Sequence, residues 1–171
     1  MFAFTHLIFA WLVGKGYEKI GKKELPRTAW FLLLFGSLIS DADFLIDWTL
    51  RTEVHRTLTH SLLFVFIGFA IICGIFYVRK NPERKIIAGA FALGICTHLF
   101  LDMFLSQGVP LFWPSLWHFS FQGIGYYDPA TPSFLNLGYE HLRRAMKIAI
   151  VDMALGTAWI LWLVWRRKVK F

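Results

Sequence analysis

The sequence predicts an all-α fold, a polytopic membrane bundle of about five helices, one short and N-terminal and four longer, with residues 1–171 forming one unit. Three observations carry that expectation. Apolar residues make up 57% of the chain and aromatics 18%; an ordinary soluble domain has about 45–50% apolar residues, so the excess has to face lipid. The apolar residues gather in runs close to the ~20 residues that a helix needs to cross ~30 Å of hydrocarbon. The 18 Lys and Arg fall mostly between those runs, in an alternating pattern.

Each element follows in order. The first residues, MFAFTHLIFAWLVG, lack the basic start and small-residue cleavage site of a removed signal peptide, and read as a short helix that stays. Longer apolar runs cover about 28–50, 60–78, 86–105 and 145–165. Between them lie a basic segment with Pro26, the polar stretch TEVHRTLT, the basic turn RKNPERK and a long aromatic loop, 106–144. Cys73 and Cys96 sit inside apolar runs, which excludes a disulfide framework or a CxxC zinc knuckle and makes them core thiols.

Orientation is read from the basic residues. Threading the helices alternately puts Lys15, Lys19, Lys22, Lys23, Arg27, Arg79, Lys80, Arg84, Lys85, Arg166, Arg167, Lys168 and Lys170 on one side, and leaves Arg51, Arg56, Arg143, Arg144 and Lys147 on the other. The basic-rich side is normally cytoplasmic, so the N-terminus, the 51–59 stretch and the 106–144 loop are expected to face outward from a multi-pass protein of the cell membrane. The net charge of +7 then reads as a topology signal with affinity for anionic headgroups. No basic stripe with stacking aromatics points to nucleic acid.

Seven metal-capable side chains, His6, Asp41, Asp43, His55, His60, His98 and Asp102, interrupt or border the apolar runs. An ionisable residue at the centre of a spanning helix costs roughly 2.5–3.5 kcal/mol on insertion scales, and a bound metal is the simplest compensation. All six histidines fall on the outer side of the threading. His98 and Asp102 are four apart and share one helical face, as do Asp43 and Asp47. Asp41 and Asp43 differ by about 200° around a helix, so both reach one ion only if the helix distorts near Ser40; otherwise one ligates and the other supports it. Asp47 is equally suited to pair with Arg51. Thr59 and Ser61 suit capping or bonding back to their own helix, and His118 and His141 read as loop residues. Trp113, Trp117, Tyr126 and Tyr127 suit an interfacial belt or the wall of a headgroup cleft. Arg56 is placed either to hold an anion through its forked donors or to snorkel.

Imidazoles with carboxylates suit a divalent ion, Zn foremost and Mn, Fe or Ni besides. The donors outnumber what one tetrahedral ion needs, so two or more ions are expected, with Asp41 or Asp102 bridging. An ion with an open position lowers the pKa of its water from 15.7 toward about 7, and a pair about 3.5–4 Å apart clamps both oxygens of a phosphoester. Ligands near the outer interface fit an amphiphilic substrate, a phospholipid or a lipid-linked phosphate. Two other readings stand beside hydrolysis. A structural or regulatory membrane protein would use a closed metal site to hold its helices. A metal transporter would need polar groups through the inner leaflet, which AWFLLLFGSLI and IIAGAFALGI do not offer.

The candidate residues fall in short motifs: Thr5-His6, Ser40-Asp41-Ala42-Asp43, His55-Arg56-Thr57-Leu58-Thr59-His60-Ser61, His98 through Asp102, and Gly108-Val109-Pro110-Leu111-Phe112-Trp113-Pro114. In this combination, from residue 1 to about 120, the chain resembles the membrane-bound, metal-dependent hydrolase family named after the bacterial inner-membrane protein YdjM. Ser40 stands where the family pattern has Pro, which would leave the helix less kinked at Asp41. The expected metal ligands are His6, Asp41, Asp43, His55, His60, His98 and Asp102, and the expected catalytic residues are Asp43, His55 and Arg56. The family is in turn remotely similar to zinc-dependent phospholipase C and P1-type nuclease folds.

Overall fold

Proline marks the first helix boundaries, because it has no backbone N–H to donate. In the computed structural model, which describes residues 3–50, 56–105, 107–126 and 139–166, Pro26 and Pro82 lie in the turns that separate helices. The elements are α1 (Ala3–Gly21), α2 (Arg27–Ile39), a 3-10 turn (Ser40–Ala42), α3 (Asp43–Leu50), a second 3-10 turn (Leu58–His60), α4 (Leu62–Val78), α5 (Arg84–Asp102), β1 (Trp117–Ser120), β2 (Gly123–Tyr126) and α6 (Tyr139–Trp165). Among the described residues, three stretches are long and apolar enough to cross a membrane: Arg27–Asp47, Arg84–Asp102 and Met146–Trp165. The apolar α4 is shorter, at 17 residues.

The structure is mostly helical, as the composition predicts, with differences that have local causes. α1 is not short: it runs for 19 residues, because its polar second half is tied down. Glu18 accepts from Lys15 Nζ at 2.7 Å and, through its other oxygen, from Leu25 N at 2.9 Å and Trp30 Nε1 at 2.8 Å, which pins the end of α1 to the start of α2. The run at 28–50 is interrupted by the turn at Ser40–Ala42. The long aromatic loop contains an antiparallel hairpin, β1–β2, with Trp117 opposite Tyr126. Val109 bridges to Phe119 beside it. Gly108 permits that approach: its φ is +63°, and a Cβ there would lie 2.6 Å from the Phe119 carbonyl oxygen. Cys73 and Cys96 are free thiols, half-buried rather than fully enclosed.

α5 is the central helix, packed against α2, α4 and α1, and it supplies Ile87, Phe91, Ile95 and Leu99 to the core. Its closest neighbour is α2. A Cβ on Gly94 would lie 2.2 Å from the Leu33 carbonyl oxygen, and one on Gly36 would lie 2.4 Å from that of Phe91. Glycine on both helices therefore lets the two backbones touch, the small-residue packing that membrane helices use in place of a hydrophobic driving force. Phe35 meets Phe91, Gly36 meets Gly94 and Ser37 meets His98, in rising order, so α2 and α5 run parallel. α1 and α6 also run parallel, with Phe4 against Gly156 and Trp11 against Trp159 and Trp162. Both pairings agree with alternate threading of five crossings. The end of α2, the start of α4 and the end of α5 consequently share one end of the bundle. The turns that carry Lys22, Lys23, Arg79 and Lys80 lie at the other.

Candidate metal centre

His98 is oriented by the α2–α5 contact. With Gly36 and Gly94 back to back, the Ser37 carbonyl oxygen comes within 2.8 Å of His98 Nδ1. A carbonyl only accepts, so Nδ1 donates, and the Nε2 lone pair faces inward. His60 is fixed differently. Ser61 caps α4, its hydroxyl accepting from Phe64 N at 3.3 Å and donating to the Leu58 carbonyl at 2.6 Å. His60 therefore sits at the helix threshold, fully buried. Its Nδ1 faces Thr59 Oγ1 at 3.1 Å and Asp43 Oδ2 at 3.5 Å, which leaves Nε2 for the same interior point as His98.

Two carboxylates complete the group. Because of the 3-10 turn at Ser40–Ala42, Asp41 Oδ1 reaches to 3.5 Å from His98 Nε2 and 3.7 Å from His60 Nε2. Asp102, one turn after His98 on α5, brings Oδ2 to 3.5 Å from His60 Nε2 and 3.8 Å from His98 Nε2. The two imidazole Nε2 atoms are 3.3 Å apart. One donor atom each from Asp41, His60, His98 and Asp102 thus falls within 4.8 Å of the other three. A tetrahedral ion with bonds of about 2.0–2.2 Å has ligand–ligand edges of roughly 3.3–3.6 Å, and the separations here nearly match. Four such donors in a buried site stay together only with positive charge among them, either protons on the imidazoles or a bound cation, and the donor set fits a divalent ion.

The remaining expected residues divide around this group. Asp43, 3% exposed, stands behind His60: its Oδ2 accepts from the Thr59 hydroxyl and from Arg56 N at 3.3 Å. That is the carboxylate-behind-imidazole arrangement that orients a ligand. His6 is 1% exposed and stacks on His98 with ring centroids 4.1 Å apart. Its Nε2 lies 3.5 Å from Asp102 Oδ1, the oxygen turned away from the four-donor point, and neither ring nitrogen has a hydrogen bond among the described residues. Arg56, held at φ +60°, donates Nη1 to the Gly108 carbonyl at 3.1 Å and sets Nη2 3.5 Å from Asp102 Oδ2. His55 and Arg51 lie outside the described residues, as does the side chain of His141, and with them the expected pairing of Asp47 with Arg51.

Two further residues lay outside the candidate set drawn from sequence. His118, expected as a loop residue, is 8% exposed, with Nδ1 3.1 Å from the Gln107 carbonyl. Burial, joined by the positive charge of Arg56, lowers its pKa below the usual imidazole value against the raising effect of that carbonyl. Asp152, on α6, is 5% exposed and receives three hydrogen bonds from the start of α1. Its only sequence signal was a lone acid inside an apolar run, a place where an ionisable group has to be compensated by a partner.

Comparison with known proteins adds a lineage to this geometry. A family model described as YdjM inner membrane protein matches residues 1–169. The chain is 41% identical over 73 residues to the inner membrane protein YdjM of Escherichia coli (strain K12) and, equally, to that of Shigella flexneri; each match covers 40% of this chain and 35% of the relative. It is 43% identical over 61 residues to the uncharacterized protein YvsG of Bacillus subtilis (strain 168), covering 36% of this chain and 34% of the relative. The chain thus spans about a third of the length of the curated relatives it matches. No solved structure matches, and none of these relatives links the chain to phospholipase C or P1-type nuclease folds.

Proposed function

The chain belongs to the YdjM inner membrane protein family, and we propose that it is a membrane-embedded, metal-dependent hydrolase that cleaves a phosphoester of a phospholipid or lipid-linked substrate at the outer interface. The observation that carries the reading is the convergence of Asp41, His60, His98 and Asp102 on one point, with their donor atoms within 4.8 Å of one another and near the spacing of a tetrahedral ion's ligands. Zn is the ion best suited, with Mn, Fe or Ni as alternatives. Asp102 supports a second ion, because Oδ2 faces the four-donor point while Oδ1 faces the unbonded His6. When bound, such ions polarise a phosphoryl oxygen and make water nucleophilic near neutral pH.

The chain's own residues supply the rest. Asp43 and Thr59 hold the His60 ring in its ligating tautomer. Arg56 neutralises Asp102 and keeps further forked N–H donors for a phosphate oxygen. His55, the neighbour of Arg56 in the chain, is the remaining candidate for a catalytic or ligating role. The basic turns at the far end of the bundle support an outward-facing site.

One observation favours a second reading. Four protein donors already complete a tetrahedron, as in structural sites, and a structural or regulatory role would follow if no position is left for solvent. Elemental analysis of purified protein, followed by a screen of phosphoester and phospholipid substrates with each candidate metal, separates the two. Metal with turnover supports hydrolysis; bound metal without turnover on any substrate favours the structural role.

A further inference from the structure

α6 gives no side chain to the four-donor group, yet it carries a buried acid at the level of the first turn of α1. Asp152 lies inside the apolar stretch Met146–Trp165, where an ionisable residue persists only with compensation. Its Oδ1 accepts from Thr5 N at 2.9 Å and Thr5 Oγ1 at 2.6 Å, and its Oδ2 accepts from Phe4 N at 3.0 Å. The first N–H groups of a helix have no partner within it, and the helix dipole favours an anion there. No acid in the first turn of α1 does this work, so a distant helix caps it.

One turn further along α6, Gly156 gives Phe4 its seat: a Cβ there would lie 2.2 Å from the Phe4 ring. The carboxylate sets the height of α1 and the glycine sets how closely it approaches, so together they fix its rotation. Rotation matters because the next residue is His6. An imidazole nitrogen stands roughly 6–7 Å from the helix axis, so a turn of about 25° moves it nearly 3 Å. That is enough to carry His6 Nε2 out of reach of an ion shared with Asp102 Oδ1, from which it is now 3.5 Å.

We propose that Asp152 is a positioning residue for His6: by gripping Phe4 and Thr5 it aims the imidazole at Asp102 and so governs binding of the ion on the His6 side of the centre. This rests on the metal-dependent reading above. The test is Zn²⁺ binding, by competition with a chromophoric chelator, in detergent-purified wild type, His6→Ala, Asp152→Ala, Thr5→Val and Thr5→Ser. Wild type is expected to show two classes of Zn²⁺. Asp152→Ala weakens the same class as His6→Ala by tenfold or more and leaves the other within about twofold; Thr5→Ser matches wild type. Where Asp152→Ala is not recovered folded, Thr5→Val reads the same contact through the loss of one hydrogen bond, with the same selective weakening. Wild-type affinity for both ions in Asp152→Ala and Thr5→Val overturns the proposal. Equal weakening of both ions also overturns it, because it assigns Asp152 to the fold and not to His6. Absence of Zn²⁺ uptake by wild type instead sinks the metal reading and this inference with it.

Discussion

Replacing Gly94 with Ala puts a methyl group where α2 and α5 touch backbone to backbone. The added Cβ would lie 2.2 Å from the Leu33 carbonyl oxygen and 3.0 Å from both Gly36 Cα and Ser37 N, whereas ordinary contact begins at 3.4 Å. The deficit is about 1.2 Å against backbone, which has no rotamer by which to yield, so the helices part. The Ser37 carbonyl, 2.8 Å from His98 Nδ1, then moves to about 4 Å, beyond hydrogen-bond distance. Loss of the bond that orients a ligating imidazole costs about 10–100-fold in metal affinity, and overpacking costs about 1–3 kcal/mol of stability. Gly89→Ala is the control, on the same helix with nothing within 4 Å of its new Cβ. The assay is Zn²⁺ competition with a chelator beside thermal melting of both variants in one detergent. If Gly94→Ala binds metal as tightly as Gly89→Ala, the link from helix packing to the His98 ring is refuted.

Replacing His98 or Asp102 with Ala is expected to remove most bound metal and to lower Tm, since it also leaves the remaining donors uncompensated at membrane depth; unchanged metal content in both variants would put the site elsewhere. Arg56→Lys keeps the charge but loses the fork beside Asp102. It is expected to retain metal and lose roughly tenfold or more in turnover, about 1.4 kcal/mol of transition-state stabilisation, and wild-type turnover removes Arg56 from the mechanism. Thr57→Cys is expected to react with an impermeant thiol reagent from outside the cell and Pro82→Cys is not; the reverse pattern inverts the orientation. Ligating imidazoles must be neutral, so bound metal is expected to fall as pH drops below the usual histidine range, and equal occupancy at about pH 5 and 7.5 contradicts imidazole ligation.

Local spacing made part of this legible. His98 and Asp102 meet at one point because a helix repeats every 3.6 residues. The 200° between Asp41 and Asp43 left two alternatives, a distortion near Ser40 that brings both to one ion or one ligand with the other in support; a 3-10 turn stands at Ser40–Ala42, yet only Asp41 joins the four donors. That turn forms without the proline of the family pattern. It puts Asp41 among the four donors and Asp43 behind His60. The grip of Asp152 on Thr5 spans 147 positions in the chain, a separation that no periodicity encodes. The hairpin was missed because WHFS and GIGY are only four residues each and take their support from Val109 and the Gly108 turn rather than from an apolar stripe. The length of α1 was missed for a related reason: Lys15, Lys19 and their neighbours end the apolar run, while Glu18 continues the helix through bonds to Leu25 and Trp30.

X-ray absorption at the edge of the metal that copurifies with the protein tests the central claim most directly. Ligation by Asp41, His60, His98 and Asp102 predicts a first shell of nitrogen and oxygen at about 2.0–2.2 Å with the outer-shell scattering of imidazole rings, lost in His98→Ala. A sulfur shell at about 2.3 Å, which would implicate Cys73 or Cys96, or a spectrum unchanged in His98→Ala, would contradict it.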